Sequence, residues 1–107
     1  MYKTENIVIN GLNYRPGCFI VLDYENNVPN FAKVICIFVK DDKKLFILQK
    51  VMVQNFDYYL LAYVCVLSEE KLVVDCSKLL FKWPLSMHYV SDKMCITNKY
   101  SHTAELL

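Results

Sequence analysis

Arginine is almost missing from this chain: Arg15 stands alone among 12 basic residues, set against 11 acidic ones, for a net charge of +1 over 107 residues. Domains that hold DNA or RNA take much of their affinity from neutralised phosphates, and arginine is the side chain best shaped to grip phosphates and base edges. Nucleic-acid binding is therefore not favoured. A DNA-contacting domain would have to build its basic stripe from Lys33, Lys40, Lys43, Lys44 and Lys50. Glycine is as scarce, and Gly11 and Gly17 fall in separate turns. A phosphate cradle needs several glycines in one loop that opens a helix, so that chemistry is excluded. The longest apolar run, Tyr58 to Leu67, is about half of the ~20 residues a membrane helix needs, and no membrane segment is expected.

Cysteine is present without any metal-binding spacing. Cys18, Cys36, Cys65, Cys76 and Cys95 are odd in number and far apart, with no Cys-x-x-Cys pair, and His88 and His102 lie on different segments. A site assembled in three dimensions from Cys76, His88 and Cys95 is conceivable, against the expected reading of buried thiols with solvated histidines. A nucleophilic Cys76 at the start of a helical turn, with His88 as its base, is the one catalytic arrangement. Cys36 and Cys65 sit inside apolar runs, where a thiol behaves as a small hydrophobe, and packing is the expected role. We expect no metal, no cofactor and no enzymatic activity. The N-terminus has no signal-peptide pattern and no asparagine begins an Asn-x-Ser/Thr sequon, so an intracellular, reducing setting is expected. The acidic pairs Asp41-Asp42 and Glu69-Glu70 belong to charged turns and not to acid–base chemistry.

What the chain does have is 55% hydrophobic residues, a positive mean hydropathy and 14% aromatics, including eight tyrosines. The β-branched and aromatic residues come in short runs separated by turn chemistry, which predicts strands. Asn6–Ile9 and Leu12–Tyr14 flank Asn10-Gly11, a two-residue hairpin signal. Cys18–Tyr24 follows, ended by Glu25-Asn26-Asn27 and by Pro29, which cannot donate to a ladder. Ala32–Val39 reads as a strand buried on both faces. Lys40 to Lys44 makes a charged hairpin loop, Leu45–Val53 a long strand, and Asn55-Phe56-Asp57 a turn. Tyr58–Leu67 and Leu72–Cys76 are strands separated by a turn at Ser68-Glu69-Glu70. Ser77 is expected to cap one helical turn over residues 77–82, halted by Trp83-Pro84. Met87–Val90 and Met94–Asn98 close the sheet across Ser91-Asp92-Lys93. The expected fold is all-β: a small, partly open SH3-like barrel of about six to eight short strands, one domain over residues 1–100, with a C-terminal tail over 101–107.

Several short strings carry a resemblance. Asn30-Phe31-Ala32-Lys33-Val34 with Ile37-Phe38-Val39, then Leu61-Ala62-Tyr63-Val64, Trp83-Pro84-Leu85 and Asn98-Lys99-Tyr100, resemble in order a β domain near the C-terminus of transposon-derived animal proteins. Ala32 replaces the glycine of that pattern. The element order is also similar to the bromo-adjacent-homology modules of chromatin, which are elaborated SH3-like barrels. The resemblance implies an accessory, non-catalytic module of a nuclear or formerly mobile-element protein that mediates protein contacts.

Aromatic residues near strand ends are the binding candidates: Tyr14, Tyr24, Phe31, Tyr58, Tyr59 and Trp83. SH3-like readers capture methylated lysine or proline-rich peptides on such groups. Most tyrosines of a β domain instead pack the ring and wet the hydroxyl. The leading expectation is a protein-interaction module with a protein partner, self-association included. The alternative is a chromatin reader or auxiliary DNA-contacting domain of a transposase-like protein.

Overall fold

The computed structural model describes residues 2–79, 84, 85 and 87–97. Nine strands and one 3-10 turn account for its regular structure: β1 (Tyr2–Thr4), β2 (Ile7–Ile9), β3 (Leu12–Tyr14), β4 (Phe19–Glu25), β5 (Val28–Lys40), β6 (Lys43–Asp57), β7 (Ala62–Asp75), the 3-10 turn (Cys76–Lys78), β8 (Met87–Val90) and β9 (Lys93–Ile96). The chain is all-β, as expected. All pairing is antiparallel, in a main sheet ordered β1-β5-β6-β7-β9-β8 with β4 also paired to β5, and in a separate β2–β3 hairpin. Among the described residues, no helix is long and apolar enough to cross a membrane.

The turns explain why so little glycine suffices. Asn10, Asn26, Asn27, Asp41, Ser91 and Asp92 all adopt positive φ, between 50° and 66°. Asn and Asp tolerate this left-handed region because their short polar side chains bond locally. Pairs of such residues make the tight turns whose twist matches that of the strands. Gly11, at φ +79°, completes the Asn10-Gly11 turn.

Three of the strands are much longer than expected, and the reasons are local. Pro29 lies inside β5, not beyond β4. Asn26-Asn27 forms the turn and Glu25 pairs with Val28, so Pro29, opposite Tyr24, has its missing donor on the side away from β4. Pairing of β5 with β6 begins only at Ala32 opposite Lys50, so no ladder bond is lost. Asn55-Phe56-Asp57 stays in β6, opposite Val64, Tyr63 and Ala62. Ser68-Glu69-Glu70, expected as a turn, is a bulge within β7 between the pairs Val51–Leu67 and Gln49–Lys71. Side chains satisfy it: Gln49 Nε2 donates to the Ser68 carbonyl (2.7 Å), Ser68 Oγ donates to the Lys50 carbonyl (2.9 Å), and Glu70 N–H donates to Ser68 Oγ (3.2 Å). The cap of the short helical turn is Asp75, not Ser77. Its Oδ1 accepts from the Ser77 N–H and hydroxyl at 3.0 and 2.9 Å, which holds the carboxyl below its ordinary pKa. Residues 80–83, the rest of the expected helical turn and its stop, and 98–107, which include the end of the last expected strand and the tail, lie outside the described residues.

Two large cores form on opposite faces of one sheet, and Ala62, Val64 and Cys95 make a third, small cluster. Ile20, Ala32, Val34, Ile37, Phe46 and Leu48 point to the first, where Tyr14, Cys76 and Leu79 join them and Ile7, Ile9 and Leu12 of the small hairpin pack over the top. Phe19, Val21, Phe31, Val51, Tyr63, Cys65, Leu85, Met94 and Ile96 form the second. Residues of β4 and β9 meet there although three strands separate them in the sheet, so the sheet curls around this core. The curl does not close into a barrel. An isolated bridge joins its ends, with Phe19 N–H donating to the Leu85 carbonyl (3.0 Å) and Leu85 N–H to the Phe19 carbonyl (2.6 Å).

The strand buried on both faces is thus the start of β4, where Phe19, Ile20 and Val21 alternate between the cores. Ala32–Val39 was expected in that role. Ala32, Val34 and Ile37 are buried, but Ile35, Cys36, Phe38 and Val39 are only half-buried and belong to neither core.

Candidate functional site

The β6–β7 hairpin tip gathers apolar side chains that the fold leaves in water. Asp57 Oδ1 accepts from the N–H groups of Tyr59 (2.9 Å) and Leu60 (3.1 Å), and this side-chain cap turns the chain at residues 58–61. Tyr58 is 81% exposed, Tyr59 101% and Leu61 59%, and Leu60 is exposed beside them. Leu61 takes φ +51°. A branched-chain residue in the left-handed region costs about 1 kcal/mol or more. Burial does not repay that cost, since Leu61 faces solvent.

Edge-on aromatic contacts tie the tip to the interior. Tyr58 meets Phe56 with ring centroids 5.0 Å apart at 76°, and Phe56 meets Tyr63 at 4.9 Å and 70°. Tyr63 meets Phe31 at 5.6 Å and 64° in the second core. Such tilted pairs add about 0.5–1.5 kcal/mol each beyond burial. The result is an aromatic stack running from a fully buried ring to a solvent-facing one, which holds the tip in a defined orientation.

The sequence-derived candidates separate cleanly by position. Tyr58 and Tyr59 are adjacent on this tip. Tyr14 and Phe31 are about 1% exposed and lie in different cores, and Tyr24 is half-buried against the second core. Trp83 lies outside the described residues. Of the five candidates among the described residues, Tyr58 and Tyr59 are exposed while Tyr14 and Phe31 are buried, and they form no shared aromatic cage. Leu60 and Leu61 were missed because Tyr58–Leu67 reads as one unbroken strand. The available signal was Asp57, a turn-forming side chain directly before the apolar run.

The residues of the metal, catalytic and basic-stripe alternatives do not gather into one site among the described residues. His88 pairs with Cys95 across β8–β9, while Cys76 sits in the first core. Among the described residues, no three His, Cys, Asp or Glu side chains are grouped to hold a metal ion. Burial pushes the Cys18 thiol up, and burial followed by the nearby Cys95 pushes the Cys65 thiol up to about 12, the reverse of what a nucleophile needs. Lys40, Lys43 and Lys44 lie together around the β5–β6 turn with Asp41 and Asp42 between them. Lys50, opposite Ala32, and Lys33, opposite Gln49, face opposite sides of the sheet. Compared with known proteins, the chain matches no family profile, no curated protein and no solved structure.

Proposed function

We propose that this chain is a non-catalytic protein-interaction module that anchors its partner on the hairpin tip Tyr58-Tyr59-Leu60-Leu61. The observation that carries this reading is the exposure of four consecutive large apolar residues on a turn held by Asp57 and by the aromatic stack. An unbound domain gains nothing from this arrangement: the apolar area stays wet and the turn retains its backbone strain. A partner that covers the tip recovers both costs, and tyrosines fixed in advance lose little entropy on binding. The partner can be another protein or a second copy of the chain. The curled sheet with a seam between its ends supports an SH3-like description. The strings around Asn30–Val39, Leu61–Val64 and Pro84-Leu85 support assignment to a module of a transposon-derived protein working in the nucleus.

The alternative, a chromatin reader or auxiliary DNA-contacting domain, draws on Lys40, Lys43 and Lys44, and the same experiment separates the two. The immobilised domain is exposed to nuclear extract with and without nuclease, beside the Tyr58→Ala/Tyr59→Ala variant. The interaction reading requires a defined protein, or the chain itself, to be retained after nuclease and lost from the variant. Equal retention by the variant would refute the tip as the anchor. Capture that vanishes with nuclease would install the DNA-contacting reading instead.

A further inference from the structure

Lysines far apart in the chain share one face of the main sheet with an apolar strip that belongs to neither large core. Cross-strand register sets the side chains in rows, because directly opposed residues point to the same side. Lys40 opposes Lys43 beside the β5–β6 turn. The next row crosses four strands as Lys3, Phe38, Leu45 and Asp75, and the one after it is Cys36, Ile47 and Val73. Lys33, Gln49 and Lys71 follow, and Lys33 also opposes Phe19 of the second core. These rows therefore lie on the second core's side of the sheet, towards which the sheet curls.

Cys36, Phe38, Leu45 and Ile47 are half-buried, Val73 is 63% exposed, and none of the five joins any of the three clusters. Around them stand Lys3, Lys40, Lys43 and Lys71, all exposed, and half-buried Lys33. None of these lysines forms a salt bridge among the described residues. Asp75 is the single carboxylate in the rows, and its Oδ1 is engaged by Ser77. Asp41 and Asp42 lie beyond Lys40 and Lys43, in the turn.

The dimensions and charge of this face select its occupant. The apolar strip crosses β5, β6 and β7, about 10 Å at ordinary strand spacing, which is the width of an α-helix. Along β6 the face runs from Lys43 to Gln49, about 20 Å or roughly four helical turns. A second copy of the chain would set the excess of lysine against itself. DNA would meet the lysines but would lay phosphates over the apolar strip. A bilayer is flat, whereas the strip is recessed on the inner side of the curl with lysines standing around it. A helix with an apolar stripe and acidic flanks matches the width, the shape and the charge.

We propose that this face docks an amphipathic helix of an acidic partner protein. Its apolar stripe lies along β6 over Phe38, Leu45, Ile47 and Val73, and its flanking Asp or Glu side chains meet Lys3 on one side and Lys71 on the other. This goes beyond the reading of the hairpin tip and uses none of its residues.

A displayed library of random peptides about 18 residues long, selected on the immobilised chain, tests it. Selected peptides should carry apolar residues at helical spacing with Asp or Glu on the flanks. A fluorescein-labelled peptide from that selection should gain helical circular dichroism on binding. It should bind about tenfold more weakly to Lys3→Glu/Lys71→Glu, read by anisotropy. Its affinity should also fall between ~0.05 and ~0.3 M salt. Val73→Glu, at an exposed position outside the clusters, should weaken binding to a similar degree by placing an anion in the strip. Tyr58→Ala/Tyr59→Ala should leave the peptide affinity unchanged. Recovery of no binder, of peptides without an acidic preference, or of peptides indifferent to the lysine and Val73 variants would overturn the proposal. Loss of affinity in the tyrosine variant would also overturn it, by moving the peptide to the tip. So would tighter binding of duplex DNA or phosphatidylserine vesicles than of any selected peptide, if the lysine variant abolished it.

Discussion

Tyr14 is the residue at which the fold holds an unmet demand. Its ring is packed against Phe46 in the first core, with centroids 5.6 Å apart, and its hydroxyl is buried with no hydrogen-bond partner among the described residues. A buried hydroxyl in that position costs about 1–3 kcal/mol relative to one that is paired. Tyr14→Phe should therefore raise stability by about 1 kcal/mol, an increase of several degrees in Tm, read by thermal melting at neutral pH. Burial, and then the neighbouring Cys18 and Cys76 thiols, push the Tyr14 pKa from 10.0 to about 12. Cys65 moves from 9.0 to about 12. In both cases the folded state favours the protonated form more than the unfolded chain does. Their contribution is complete below the ordinary values of 9.0 and 10.0 and is lost as pH rises through about 12. The denaturation midpoint should fall steadily across that alkaline window, and Tyr14→Phe should flatten the part above pH 10.0. An alkaline limb identical in the variant would mean that Tyr14 is not the titrating group.

At the scale of the strand and the turn, stability and binding pull against each other. Leu61, exposed and at φ +51°, holds a conformation that glycine adopts freely. Leu61→Gly should leave the domain as stable or up to about 1 kcal/mol more stable, while weakening partner capture at the tip. A variant that loses both stability and binding would show that Leu61 packs structurally. The bulge in β7 makes the opposite prediction. Ser68 Oγ bridges the Lys50 carbonyl and the Glu70 N–H, so Ser68→Ala should cost about 1–2 kcal/mol in denaturant titration although its neighbours Glu69 and Glu70 are exposed. These two features also mark where the sequence was legible and where it was not. The hairpin turns at Asn10-Gly11, Asn26-Asn27, Asp41-Asp42 and Ser91-Asp92 could be placed because each depends on side chains that accept positive φ. Ser68-Glu69-Glu70 carries the same local chemistry, but there the long-range pairs Val51–Leu67 and Gln49–Lys71 extend the ladder past a local turn signal. The hairpin tip was displaced by three residues for a related reason. Phe56 is held in β6 by Tyr63 across the ladder, and only then does Asp57 turn the chain.

At the scale of the whole molecule, the all-β class was legible from β-branched and aromatic runs, but the two-sided arrangement of the cores was not. Alternation reveals that Phe19, Ile20 and Val21 are apolar in succession. It does not reveal that a small hairpin covers one face and a curled edge the other. Because β4, β5 and β6 contribute to both cores, neither core can be lost alone. Phe46→Ala in the first and Phe31→Ala in the second should each cost about 3–5 kcal/mol, and both variants should unfold in one transition seen alike by circular dichroism and tyrosine fluorescence. Separated transitions would divide the molecule into two units. The turn inventory has a kinetic consequence as well. Four of the strand pairs, β2–β3, β4–β5, β5–β6 and β8–β9, join neighbours across turns set by residues already suited to positive φ, so each can zip from its own turn. β1 differs: Tyr2–Thr4 pairs with Ile37–Val39 and must close a loop through more than thirty intervening residues to do so. The N-terminal strand is then the last to dock and the first to peel away, and until it arrives that stretch of β5 stands as an open edge on which another chain's strand can settle.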